Sequence, residues 1–245
     1  PLAFPDKVKE VSDLLSNAKK PVLVVGGQVH ISARSRKLVE EVANTHNLPV
    51  LCTYEHQDII SNDNLHYAGE LGLRPPEPIR KNALEADLVL VVGHRFNGVP
   101  NMAYKFPSSK QMFIHVIPDP NTIGKIFRTD MGIVADSENF LEQLSNFVTN
   151  CRNSERDEWV KLCHYRYLNN DATVTPRNAN DGLDFAHFID GLGKIAPENS
   201  IITNDAGNFT SWMHHRFPFK STMKLIGSEI GAMGMGIPAG IAAAL

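Results

Sequence analysis

Apolar and polar positions along the first 150 residues alternate between two periods. Pro21-Val22-Leu23-Val24-Val25 is an unbroken apolar run that stops at Gly26-Gly27. A run with no polar face suits a strand covered on both sides, as in a parallel sheet. Leu38, Val39, Val42 and Ala43 then recur at helical spacing between Ser32 and Thr45. Further strands are predicted at 49–53, 87–93, 112–117 and 132–135, with a helix ending at Leu84-Glu85-Ala86. Ser137 to Val148 reads as a helix capped by Ser137, with Phe140, Leu141, Leu144 and Phe147 as its apolar stripe. This alternation predicts βαβ units, so the fold class is α/β: a parallel sheet flanked by helices, Rossmann-like, over residues 1–150.

The pattern changes after residue 150. Arg156 to Leu168 reads as a helix with Trp159, Leu162, Cys163 and Tyr167 on one side. Asn169 to Gly182 is rich in Asn, Asp and Thr, and 151–182 is read as a linker. A second α/β pattern starts at Leu183: a helix (184–195), a strand (200–203), a polar loop (204–208) and a Gly-rich approach to a last helix. Residues 183–245 therefore read as an incomplete second α/β domain. The start lacks an initiator Met and the last helix has no closing signal, so the sequence reads as a piece of a longer protein.

Composition narrows the function classes. Apolar residues are 42% and charged residues 21%, which is ordinary for a globular chain. The net charge of -3 without a basic stripe argues against nucleic-acid binding and against a polybasic membrane anchor. No apolar run is long enough to span a bilayer. Cys52, Cys151 and Cys163 are far apart and form no C-x-x-C, which disfavours a disulfide scaffold or a zinc site and fits a reducing, cytoplasmic setting.

Candidate chemistry lies beyond the strands. Gly26-Gly27-Gln28 allows close backbone approach to a ligand, although no third glycine completes G-x-G-x-x-G; a plain strand-to-helix turn reads equally well. Arg95, in Gly93-His94-Arg95-Phe96-Asn97, can meet a phosphate with its guanidinium fork. Asp119 and Asp136 can accept from a nucleotide, or simply cap turns and helices. His214-His215 lacks an evident third metal ligand, and there is no nucleophile elbow or Walker A loop. The richest segment runs from Gly227 to Gly240, with glycines at 227, 231, 234, 236 and 240 that let backbone amides crowd round a cofactor. A small-residue helix packed tightly on its neighbour is the plainer reading.

Gly231-Ala232-Met233-Gly234-Met235-Gly236-Ile237-Pro238-Ala239, preceded by Asn204-Asp205-Ala206-Gly207-Asn208, resembles thiamine diphosphate-dependent enzymes of the acetolactate synthase and 2-oxo acid decarboxylase type. The resemblance extends over Pro21 to Gly27, Ala86 to Phe96 and His115 to Pro120, which are similar to that family's central domain. It implies that Met233 supports the bent cofactor and that Asn208 approaches the diphosphate, with Gly231 and Gly234 in the cofactor loop. In members whose central domain carries FAD or ADP, the positions of Gly26, Gly27, Arg95, Ile117-Pro118 and Asp136 contact the nucleotide. Leu73-Arg74-Pro75 and Ile117 depart from the FAD-binding pattern, which leaves FAD, ADP or neither open. The resemblance further implies Mg²⁺, a small 2-oxo acid substrate and a homodimeric or homotetrameric whole protein. The family's metal-binding aspartate and catalytic glutamate have no counterpart here, so this piece is expected to be inactive alone and to supply neither metal ligand nor catalytic residue. An adenine-nucleotide-binding regulatory module without catalysis is the alternative.

Overall fold

The computed structural model describes residues 1–147, 153–170 and 182–245. Helix α1 (Pro5–Asn17) leads into strand β1 (Pro21–Val25). There follow α2 (Gly27–His30), α3 (Ala33–His46), β2 (Val50–Thr53), β3 (Tyr67–Leu71), α4 (Glu77–Leu84), β4 (Leu88–Val92), β5 (Met112–Val116), β6 (Met131–Ile133) and α5 (Ser137–Ser145). All pairings in the resulting six-stranded sheet are parallel, in the order β3-β2-β1-β4-β5-β6. The strand order reverses between β1 and β4, so a crevice opens beyond their carboxyl ends.

The alternation of side chains along each strand divides the core in two. Leu23, Val25, Leu90, Val92, Ile114 and Val116 pack with Val8, Val11, Val39, Val42 and Phe140 on one face. Val22, Val24, Val89 and Val91 pack with Ile79, Ala83, Trp159 and Cys163 on the other. Every residue of β1, β2 and β4 is buried, as the unbroken apolar runs demand.

Several details differ from the sequence reading. The apolar positions Val8, Val11 and Leu15, with Pro5 in the first turn, signal α1, which that reading did not include. Strand β3 is unheralded because Gly69 and Glu70 interrupt its apolar pattern. The cap of α5 is Asp136, whose carboxylate accepts from Asn139 N at 3.0 Å, and not Ser137, which is helical. Leu162 is exposed while Trp159 and Cys163 are buried.

Helix α6 (Ser154–Leu168) falls inside the stretch read as a linker but is part of the first unit's core. Trp159 Nε1 donates to Pro21 O at 3.0 Å, and the buried Arg156 guanidinium donates to the carbonyls of Leu15, Ala18 and His46. The rest of the predicted linker falls mostly on residues 171–181, which, with Cys151 and the end of the predicted helix at Val148, lie outside the described residues.

The second unit holds α7 (Phe185–Ile195), β7 (Ile201–Thr203), α8 (Thr210–Arg216), β8 (Lys224–Ile226) and α9 (Gly236–Ala244). Its two strands pair in parallel, and Ile189, Phe217, Phe219, Met223 and Leu225 form a small separate core. Asn62 N donates to Phe219 O at 2.8 Å, and Phe219 N donates to Asn62 Oδ1 at 2.8 Å, tying this unit to the first.

Candidate functional site

Loops from β1, β4 and β5 enclose a cavity of about 300 Å³ at the reversal point, lined in part by Gly27, Gln28, His94, Arg95, Asn97 and Glu229. A side chain on Gly26 would begin 2.6 Å from His94, and one on Gly27 would begin 2.8 Å from Glu229 Oε1. These glycines make room for neighbouring side chains. The amides that follow them are taken: Gln28 N donates to Gly93 O at 3.1 Å and Val29 N to Gly26 O at 2.8 Å. Helix α2 is a single turn and offers little dipole to an anion. Arg95 is exposed on the cavity rim. Asp136 stands apart as the α5 cap, and Asp119 caps the turn at Pro120–Thr122.

Histidines that look scattered in sequence converge at this edge. His56 meets Glu229 Oε1 at 3.0 Å and Thr53 Oγ1 at 3.1 Å, and its ring lies 5.3 Å from that of His30. The bond from His56 holds the Glu229 carboxyl below the usual carboxylate range. Burial, reinforced by His56, pushes His94 down to about 4, so it is neutral at pH 7. Burial also lowers His115, whose Nε2 donates to His94 O at 2.8 Å. Glu229 thus places a half-exposed negative charge on the crevice wall, near the rim charge of Arg95.

A second buried cluster joins the two units. His214, on α8, has Nε2 3.3 Å from Glu55 Oε2 and Nδ1 3.9 Å from Glu70 Oε1. Asn204 Nδ2 donates to Glu55 at 3.3 Å. A side chain on Gly227 would begin 2.0 Å from Glu55 Oε2, which is why this position is glycine. Burial raises Glu70 to about 7. Burial works against charge on His214, but Glu55 and Glu70 together outweigh it and raise its pKa. His214 and His215 part company here: His215 is pushed down to about 4, by burial and then by His214.

The Gly-rich turn preceding α9 has its amides directed inward. Gly231 N donates to Ser228 O at 3.0 Å and Ala232 N to Ser228 Oγ at 2.8 Å. Gly234 N and Gly236 N donate to the Asp205 carboxylate at 2.9 and 3.0 Å. These four amides shape the turn itself. Apolar side chains point outward instead. Met233 is 84% exposed and Ile230 90% exposed. Asn208 is exposed beyond β7, in the same polar loop as Asp205.

Residues 8–144 match the family described as "Thiamine pyrophosphate enzyme, central domain". The chain belongs to this thiamine pyrophosphate enzyme family. It is 27% identical over 251 residues to the probable acetolactate synthase large subunit of Methanocaldococcus jannaschii, covering 99% of this chain and 42% of that protein. It is 30% identical over 243 residues to the acetolactate synthase isozyme 1 large subunit of Escherichia coli K12, covering 98% of this chain and 42% of that protein. The acetolactate synthase large subunit of Lactococcus lactis is 26% identical over 246 residues, again across 42% of its own length. The chain thus spans about two fifths of the length of these relatives.

Thiamine pyrophosphate enzymes of this type carry a central domain of the parallel α/β architecture seen here. A Cβ on Gly231 or Gly234 would meet nothing within 4 Å, so the space beside Met233 is open. The donor set for a metal does not fit: among the described residues no group of three or more His, Cys, Asp or Glu is arranged to hold one. Among the described residues no helix is long and apolar enough to cross a membrane. The sequence reading missed Asp205 and Glu229 as organisers of the two sites. The Asp-x-Gly spelling of 205–207 was a signal for the first; nothing marked the second.

Proposed function

We propose that this chain is the central domain and the first part of the diphosphate-binding domain of a cytoplasmic thiamine diphosphate-dependent carboligase or decarboxylase. Residues 1–168 form the central unit and 183–245 the start of the next, and the whole protein acts on a small 2-oxo acid as a homodimer or homotetramer. The observation that carries this reading is Met233, exposed on a turn whose Gly231, Ala232, Gly234 and Gly236 amides bond to Ser228 and Asp205. When bound, thiamine diphosphate supplies the electron sink for decarboxylation. Met233 would support the cofactor by packing, with Gly231 and Gly234 leaving space beside it, and Asn208 would hold the diphosphate end. Magnesium ligands and the catalytic residue come from outside this chain, which has no catalytic activity by itself.

The test is substitution of Met233 in the full-length enzyme. Met233→Leu nearly conserves volume and should leave turnover close to normal. Met233→Ala should lower turnover roughly 10- to 100-fold at saturating cofactor, because orientation is what the contact provides. Normal turnover by the Ala variant would overturn the reading.

A second reading, an adenine-nucleotide site holding ADP or FAD, draws support from the crevice at the strand reversal with Gly26, Gly27 and Arg95 at hand. The Glu229 carboxylate on the crevice wall, beside Gly27, works against a diphosphate. Calorimetry with ADP should show no saturable binding below about millimolar for this chain, with Glu229→Gln binding more tightly. Micromolar binding by the unaltered chain would favour the regulatory module, with Asp136 as a nucleotide contact only if Asp136→Ala weakens it.

A further inference from the structure

We propose that Asp205 is a positioning residue for the Gly-rich turn: its carboxylate clamps the turn's backbone amides so that Met233 is presented at one place. This rests on the reading of Met233 as the cofactor's support.

Asp205 lies in the loop just beyond β7, and Gly234 follows it by 29 residues. Its Oδ1 accepts from Ala206 N at 2.8 Å and Gly234 N at 2.9 Å, and its Oδ2 accepts from Gly234 N and Gly236 N, each at 3.0 Å. One side chain thus closes its own loop and seizes the start of α9. That helix has Met235 at its N-cap with no side-chain cap of its own, so Asp205 caps it from a distance. The fit is close, since a Cβ on Gly236 would begin 3.1 Å from Asp205 Cβ. Gly234 has φ +90, a backbone state that keeps its amide directed at the carboxylate and that other residues rarely adopt.

The opposite end of the turn is held by Ser228, which takes the amides of Gly231 and Ala232. Met233 stands between the two anchors and projects outward. Bonds to an ionised acceptor are the strong kind, and a support has to be held by its surroundings before the ligand arrives. The Gly236 amide, followed by those around it, holds the Asp205 carboxyl below the usual aspartate range, so the clamp stays charged at neutral pH. The co-occurrence of an Asp-x-Gly stretch and a downstream Gly-rich turn then has a mechanical reason: the first motif shapes the second.

The experiment has two arms. Amide hydrogen exchange on this chain at pH 7 should show Gly234 and Gly236 exchanging roughly tenfold or more faster in Asp205→Ala, with Asp205→Asn between the two and the amides of β1 and β4 unchanged. In the full-length enzyme, Asp205→Ala should lower turnover at saturating thiamine diphosphate roughly tenfold, with little change in KM for the 2-oxo acid. Combined with Met233→Ala it should add little further loss, because both act through one contact. Unchanged exchange at 234 and 236 overturns the clamp. Full turnover by Asp205→Ala, or additive losses in the double variant, overturns the positioning role while leaving the Met233 reading intact. If Met233→Ala alone turns over normally, the underlying reading has failed and the positioning role falls with it; the exchange arm still decides whether the clamp exists.

Discussion

Glu70 and His214 show how individual residues couple the two units to pH. Burial raises Glu70 from 4.5 to about 7, so between those values the folded chain holds a proton that the unfolded chain releases. Its contribution therefore weakens as pH rises through that window. His214, raised above 6.5, contributes below its unfolded value and loses that contribution as pH rises through its folded one. The groups facing them are Glu55, Asn204, Tyr54 and His215, and Tyr54 is pushed up to about 12, by burial and then by Glu55, so it stays neutral throughout. Both shifts point the same way. The melting temperature should fall between pH 5 and pH 8, by the equivalent of about 1–3 kcal/mol. Glu70→Gln mimics the protonated acid, and its profile should be flatter; an unaltered pH dependence would rule out Glu70 as the source. None of this was legible from sequence, because an acid in a strand and a histidine on a distant helix share no spacing.

At the level of elements, apolar periodicity located most of the parallel sheet. β1 was expected at Pro21–Val25 and occupies those residues, because its run is covered on both faces. β3 escaped because Glu70 and Gly69 break its pattern, and the acid is tolerated only because His214 and its proton compensate for burial. Caps follow local chemistry, and here Asp136 outcompetes Ser137 by one position. Asp136→Ala should cost about 1 kcal/mol, read as a lower melting temperature. Helix α6 is held by a different force. Trp159→Ala removes a 2% exposed indole that is also bonded to Pro21, and it should cost about 3–5 kcal/mol in chemical denaturation. A cost under about 1 kcal/mol would mean that α6 is a linker segment after all.

Across the whole molecule, polar groups dock the second unit on the first. The Arg36 guanidinium reaches Asp58 Oδ2 at 3.1 Å, Met223 O at 3.3 Å and Ser221 O at 2.6 Å. Asp58 Oδ2 also meets His30 Nε2 at 2.8 Å and Leu225 N at 3.1 Å. This junction ties α3 and the loop after β2 to β8 and to the turn that precedes it. Arg36→Met leaves the buried Asp58 carboxylate with only His30 and Leu225 N and should cost up to about 3–5 kcal/mol. Because the damage lies at the junction, calorimetry should resolve a separate, earlier transition for the second unit. A single transition at the original temperature would show that apolar contacts alone suffice for docking.

The sequence by itself determined the parallel α/β architecture, since strands buried on both faces must be written as unbroken apolar runs. It also carried the family signature, through short motifs whose residues are neighbours along the chain. Tertiary structure alone decided the order of the strands, the grouping of His30, His56, His94 and His115, and the pairing of Glu55 with Asn204 and His214 across 149 and more residues. It alone showed that the amides of the Gly-rich turn serve Asp205 and Ser228, leaving Met233 outward. The physical reason is that apolar burial imposes a period that local sequence displays, whereas a hydrogen bond or ion pair needs only two groups that the folded backbone brings together, at any separation along the chain.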